Sequence, residues 1–146
     1  MESYLQEGKM KQALIDLGSN SIRLTVYDIH ENTFTVLFKE KIMAGLAGYV
    51  EEGRLNDEGI QCAADALTYF QNIVSLLDIQ NLNVFATASL RNITNTEEAL
   101  TAIEKATSIH VDVITGEKEA QLGYIGVTHD ICERNGIVVD IGGAST

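Results

Sequence analysis

Tryptophan and proline are absent from these 146 residues, and cysteine occurs only twice. The first two absences leave function open. Cys62 and Cys132 form no CxxC pair and sit in unrelated contexts. That argues against a disulfide framework and for reduced thiols, the usual state in a cytoplasmic protein. Basic residues are scarce: 10 Lys and Arg stand against 21 Asp and Glu, a net charge of −11. This balance argues against a broad basic face for nucleic acid. Any bound anion must instead be held locally, by backbone N–H groups, a metal ion or a few placed cations. No apolar run approaches the ~20 residues that span a bilayer. Residues 1–12 carry Glu2, Glu7, Lys9 and Lys11 where a secretory signal would have its apolar stretch. A cytoplasmic protein without membrane or nucleic-acid partners is therefore expected. What is present is the composition of about one globular domain, 45% hydrophobic and 21% charged.

One phrase occurs twice. Ala13-Leu14-Ile15-Asp16-Leu17-Gly18-Ser19-Asn20-Ser21 stands near the start, and Ile137-Val138-Val139-Asp140-Ile141-Gly142-Gly143-Ala144-Ser145-Thr146 at the end. Each copy is an apolar run, an Asp, one apolar residue, a Gly and a small polar tail. The run reads as a buried strand, and Gly allows a turn where a side chain would collide. Each Asp then sits near the strand's last residues, beside a turn whose N–H groups can face an anion. Two such loops facing each other would hold a phosphate chain and offer two carboxylates to a divalent metal.

Between the copies, residues 12–17, 21–29 and 33–41 read as an antiparallel meander with a hairpin turn at Glu31-Asn32. Residues 44–48 read as a flexible, glycine-rich loop. From Asn56 the apolar residues Ile60, Ala63, Ala64, Leu67, Phe70, Val74 and Leu77 take helical spacing, with Asn56 or Asp57 as cap. A strand over 82–88 follows, then a helix opened by a Thr94–Glu97 capping box. A strand over 109–114, a helix over 117–128 with Tyr124 in the core, and a strand over 136–141 complete the chain. The order β-β-β-α-β-α-β-α-β gives an α/β fold, a mixed sheet with helices on its faces. Ligands of such sheets sit beyond the carboxyl ends of the parallel strands, where Asp16, 87–91 and 115–119 would share one cleft.

Asp16 to Leu24, Gly53-Arg54-Leu55 with Glu58-Gly59-Ile60, Ala86 to Arg91, Ile114 to Ala120 and the closing Val139 to Thr146 follow one another in order. Together they resemble the exopolyphosphatase/guanosine pentaphosphate phosphatase family, of the actin, sugar-kinase and heat-shock-chaperone superfamily. The resemblance implies a ribonuclease-H-like, mixed five-stranded domain, the first half of a two-domain actin-like architecture. Residues 1–11 would be an N-terminal extension, 12–130 the first domain, and 136–146 the first strand and phosphate loop of a truncated second domain.

It also implies roles. Glu119 would be the catalytic base, although Glu117 and Glu119 also suit the positive end of a helix. Asp16 and Asp140 would hold Mg²⁺ or another divalent cation; the plain alternative for Asp16 is capping its own turn. Gly18, Ser19, Asn20, Ser21, Arg23, Arg91, Gly142, Gly143 and Ser145 would bind phosphate. Arg23 is as readily a solvent-facing residue, and Arg91 a surface ion-pair partner. His30, His110 and His129 lack metal-ligand spacing. The expected activity is metal-dependent release of terminal phosphate from inorganic polyphosphate or guanosine penta- or tetraphosphate, with the missing C-terminal domains as partners and a homodimer left open. A kinase-like relative and a non-catalytic phosphate or nucleotide sensor stand as alternatives. The isolated chain is expected to be nearly inactive. Its terminal strand is expected to be displaced, with Asp140 away from Asp16, because unpaired strands seek other partners.

Overall fold

The structure is a computed structural model and describes residues 10–31, 33–129, 131 and 135–142. The meander forms as the alternating pattern requires: β1 (Met10–Leu17), β2 (Ile22–His30) and β3 (Thr33–Ile42) pair antiparallel. β1 begins at Met10, inside the stretch expected to be an extension. Glu31 turns the hairpin at a positive φ of 45°, while Asn32 lies outside the described residues.

A small hairpin, β4 (Val50–Glu51) and β5 (Arg54–Leu55), then leads into α1 (Asp57–Leu76). Of the two candidate caps Asn56 is the one used: its side chain accepts from the Gly59 N–H at 3.0 Å. Such a cap contributes about 1 kcal/mol. β6 (Asn81–Ala86) runs parallel to β1, and the chain then coils into a short α2 (Ala88–Arg91). Next come α3 (Thr96–Thr107), β7 (Asp112–Val113), parallel to β6, and α4 (Gly116–Thr128). The sheet order is β3-β2-β1-β6-β7, a mixed five-stranded sheet as expected.

Several local expectations are corrected. Residue 88 belongs to α2, not to the strand before it. The capping box does not form. Asn95 occupies the cap position of α3, and its side chain instead accepts from Leu55 N–H and donates to Leu55 C=O, both at 3.0 Å. The buried Leu55 backbone groups are satisfied that way, and the Thr94 hydroxyl, which the box would use, donates to Gly53 C=O at 3.2 Å. The strand expected over 109–114 shrinks to two residues, and none forms over 136–142 among the described residues.

Alternation on the strands sends Ala13, Ile15, Leu17, Ile22, Leu24 and Val26 to one face, where α1 and α3 cover them with Leu67, Phe70 and Ile103. That layer is the core. The opposite face carries Leu14, Asp16, Arg23 and Thr25, and α4 lies over it. His129 at the end of α4 stacks at 5.3 Å on Phe34 of β3. α4 contributes no buried residue, and Tyr124, expected in the core, is 58% exposed. No helix among the described residues is long and apolar enough to cross a membrane.

Candidate active site

The parallel strands β1, β6 and β7 end on the same edge of the sheet, and a cavity of about 350 Å³ opens beyond them. Asp16, the residues 18–21, Arg23, Thr87, Glu119, Asp140, Ile141 and Gly142 line it. Strand ends, a helix start and the terminal segment thus meet at one point.

The turn after β1 is tight. Gly18 N–H donates to Ser21 C=O at 3.1 Å, and a Cβ on Gly18 would lie 2.7 Å from that same oxygen. Only glycine fits. The loop is also held from behind: Ser19 C=O accepts from Ala47 N–H and Asn20 C=O from Gly45 N–H, each at 2.9 Å. Gly45 adopts φ 61°, a conformation other side chains rarely take. The glycine-rich stretch expected to be a flexible loop is therefore a brace that includes a short 3₁₀ turn over Leu46–Tyr49. With the Ser19 and Asn20 carbonyls engaged by the brace and that of Ser21 by Gly18, these three residues keep backbone N–H groups that donate no hydrogen bond among the described residues. Such a run of free N–H groups is an anion-binding concavity.

Asp16 and Arg23 are directly opposed across the β1–β2 ladder. Arg23 Nε donates to Ser21 Oγ at 3.2 Å. Burial raises the Asp16 carboxyl above its ordinary range; Arg23 opposes the shift, while the charges of Glu119 and Asp140 add to it. Its Oδ1 is buried with no hydrogen-bond partner among the described residues. A buried, unpaired carboxylate oxygen facing two further carboxylates suits a hard divalent cation, which takes oxygen ligands and keeps several waters. Asp16 and Asp140 fit that role. No group of three or more metal-ligating side chains converges among the described residues, so most of the ion's shell would be water and phosphate oxygen.

Glu119 stands in the first turn of α4. Thr115 caps that helix by accepting from Lys118 N–H at 3.1 Å, and Glu119 N–H donates to Thr115 C=O at 2.9 Å. Its Oε2 accepts from Arg91 Nη1 at 2.9 Å.

Of the residues singled out from the sequence, Asp16, Gly18, Ser19, Asn20, Ser21, Arg23, Glu119, Asp140 and Gly142 come together here. Gly143 and Ser145 lie outside the described residues. The terminal segment is not displaced from the site: Asp140 shares the cavity with Asp16 and its charge is felt there. Its apolar side chains stay in solvent, Ile137 at 91% exposure, because no strand pairs with them among the described residues. Arg91 is absent from the cavity lining and turns to Glu119 instead. Thr87, expected at the cleft with 87–91 but given no role there, lines the cavity one residue past β6. A second, mainly apolar cavity of about 560 Å³ adjoins the first, between α4 and the terminal segment, with Arg91, Glu119, Tyr124 and Asp140 in its wall.

The Ppx/GppA phosphatase family matches over residues 25–146. A guanosine-5'-triphosphate,3'-diphosphate pyrophosphatase of Aeromonas hydrophila is 36% identical over 136 residues, covering 92% of this chain and 27% of the relative. The crystal structure of the Aquifex aeolicus family member superposes with a TM-score of 0.77 at 27% identity, over 85% of this chain and 41% of that one. An exopolyphosphatase from Cytophaga hutchinsonii superposes at 0.76 with 29% identity, over 82% of this chain and 39% of that one. The chain thus spans well under half the length of these relatives.

Proposed function

Because this chain belongs to the Ppx/GppA phosphatase family, we propose that it forms one wall of a hydrolase site that removes the terminal phosphate of inorganic polyphosphate or guanosine pentaphosphate. The observation that carries this reading is the single cavity joining the free N–H groups of residues 19–21 with Asp16, Asp140 and Glu119. The names of the relatives support the substrate class: one is a guanosine-5'-triphosphate,3'-diphosphate pyrophosphatase, another an exopolyphosphatase.

In this reading the loop N–H groups and Arg23 hold the terminal phosphate. They are fixed before substrate arrives, by the Gly18 turn and the Gly45–Ala47 brace, so little reorganisation is needed as charge develops. Glu119 orients a water and accepts its proton as the water oxygen bonds to the terminal phosphorus. The bridging P–O bond breaks, and the leaving phosphate chain carries away the electron pair. A divalent cation held by Asp16 and Asp140 would neutralise phosphate charge when bound. The second wall comes from a further domain. Supporting this are the apolar side chains left in solvent on the side of the site, Tyr124 and Ile125 on α4 and Ile137 and Ile141 beyond it.

The test is Glu119→Gln in the full-length protein, with polyphosphate, guanosine pentaphosphate and ATP assayed separately. Phosphate release should fall by about 10²–10⁴-fold, the usual contribution of a general base. Activity within a few-fold of the parent would remove Glu119 from the role. Turnover of ATP alone would favour a kinase-like relative, and binding without turnover by the parent a sensor.

A further inference from the structure

Arg91 belongs by position to the phosphate-binding set, since it follows a strand that ends at the cavity. Its contacts point elsewhere. Nη1 donates to the main-chain oxygen of Ile114 at 3.0 Å and to Glu119 Oε2 at 2.9 Å. The ion pair is largely enclosed, with side-chain exposures of 23% for Arg91 and 27% for Glu119. Nη2 lies against the start of α4, close enough that a Cβ on Gly116 would touch it at 3.8 Å. Glu119 lines both cavities, whereas Arg91 lines only the apolar one. The guanidinium therefore grips the carboxylate from the side away from the phosphate loop. Glu119 Oε1 is left without a hydrogen bond among the described residues.

α2, which carries Arg91, is itself fastened to the phosphate loop's strand. Ser89 is buried, and its Oγ donates to Leu17 C=O, one residue past Asp16. Thr87 N–H approaches the same oxygen at 3.5 Å, and Arg91 N–H closes the turn onto Thr87 C=O at 3.0 Å. A continuous set of bonds thus runs from the end of β1 through Ser89 and Arg91 to Ile114 and Glu119. An arginine suits the last link, because its rigid fork can serve a carbonyl and a carboxylate together.

We propose that Arg91 is a positioning residue that acts through Glu119, and that α2 is a strut setting the base relative to the phosphate loop. This rests on the reading of Glu119 as the base. A phosphate ligand and a positioner differ in kinetics: losing the first weakens substrate binding, while losing the second leaves binding and slows the chemical step.

The experiment is a double-mutant cycle in the full-length protein, with inorganic polyphosphate as substrate and thermal melting as the check on folding. Arg91→Met should lower kcat by about 10–10²-fold, as expected for a misplaced catalytic group, with KM changed by no more than about threefold. Arg91→Lys should fall between it and the parent. Arg91→Met combined with Glu119→Gln should be no slower than Glu119→Gln alone, because Arg91 has nothing left to position. If Arg91→Met fails to fold, Arg91→Lys carries the test through the same split of kcat from KM. An inactive Glu119→Gln beside Arg91 variants that raise KM with kcat intact would overturn this proposal alone, as would additive losses in the double variant. A Glu119→Gln enzyme of near-parental activity would overturn the assignment of the base and this proposal with it.

Discussion

On one face of the sheet Ile15, Leu17, Leu24, Leu67, Phe70 and Ile103 are fully enclosed between β1, β2, α1 and α3. On the other, α4 has no buried residue, and Leu122, Tyr124 and Ile125 are between 44% and 58% exposed. The two faces come from the same alternating strands, so hydrophobicity alone does not separate them. What separates them is covering. The first face supplies nearly all the close packing, while Asp16 and Arg23 of the site stand on the second and its loop residues lie at the strand ends beside them. The packing that holds the strands and the carboxylate and guanidinium of the site are thereby placed on opposite sides of one layer of strands.

Matched isoleucines break or sharpen that contrast most strongly. Ile15 is 0% and Ile137 91% exposed. Ile15→Ala should cost about 2–5 kcal/mol, the range for truncating a large core side chain. Ile137→Ala should stay within about 0.5 kcal/mol. Chemical denaturation of the two variants checks this, and equal losses would erase the distinction between the faces.

Asp16 gives a smaller effect with a definite sign. Burial raises its folded-state pKa above the ordinary carboxylate value. The folded chain therefore holds a proton that the unfolded chain has already released. Across the window from the ordinary value up to the raised one, stability falls as pH rises, and above it the penalty is constant. Asp16→Asn cannot ionise. It should melt higher than the parent at neutral pH and lose that advantage in acid, while phosphate release is lost. Thermal melting as a function of pH reads the crossover; a variant less stable than the parent at neutral pH would mean that Asp16 supports the fold instead of opposing it.

The smallest effect lies at the edge of the sheet. His110 Nδ1 meets Glu104 at 2.8 Å and Nε2 meets Asp112 at 3.2 Å, joining the end of α3 to β7. The hydrogen bond to Glu104 and then its charge, with a weaker pull from Asp112, raise the His110 pKa from 6.5. That contribution is fully present below the ordinary histidine value and is lost as pH rises through the raised one. His110→Gln should remove this shallow slope and leave activity unchanged. Melting curves on either side of neutrality measure it, and an unaltered slope would show that the contacts carry no stability.

Much of this was legible in the residues because the relevant forces are local. The apolar run before Asp16, the Gly18 turn and the helical spacing of Ala63, Leu67, Phe70 and Val74 act within a few positions of themselves. What could not be read depends on partners far along the chain. The four residues of α2 coil because Ser89 finds Leu17, and the 45–49 stretch tightens because its N–H groups find Ser19 and Asn20. Arg91 looked like an anion ligand because its pairing with Glu119, 28 residues on, leaves no mark in the spacing. Residues 136–141 have the composition of a covered strand, but a strand also needs a ladder, and composition cannot supply one.

β1 lies in the middle of the sheet, paired along its length with β2 on one side and β6 on the other. Its amide protons should therefore be among the last to trade with deuterated water, released only when the whole domain opens. α4 has no comparable protection, and its amides should trade through partial openings that leave the sheet intact. Asp16 and Glu119 would then face the same cavity from elements of very different lifetimes, one bound to the slowest clock in the molecule and the other to a much faster one.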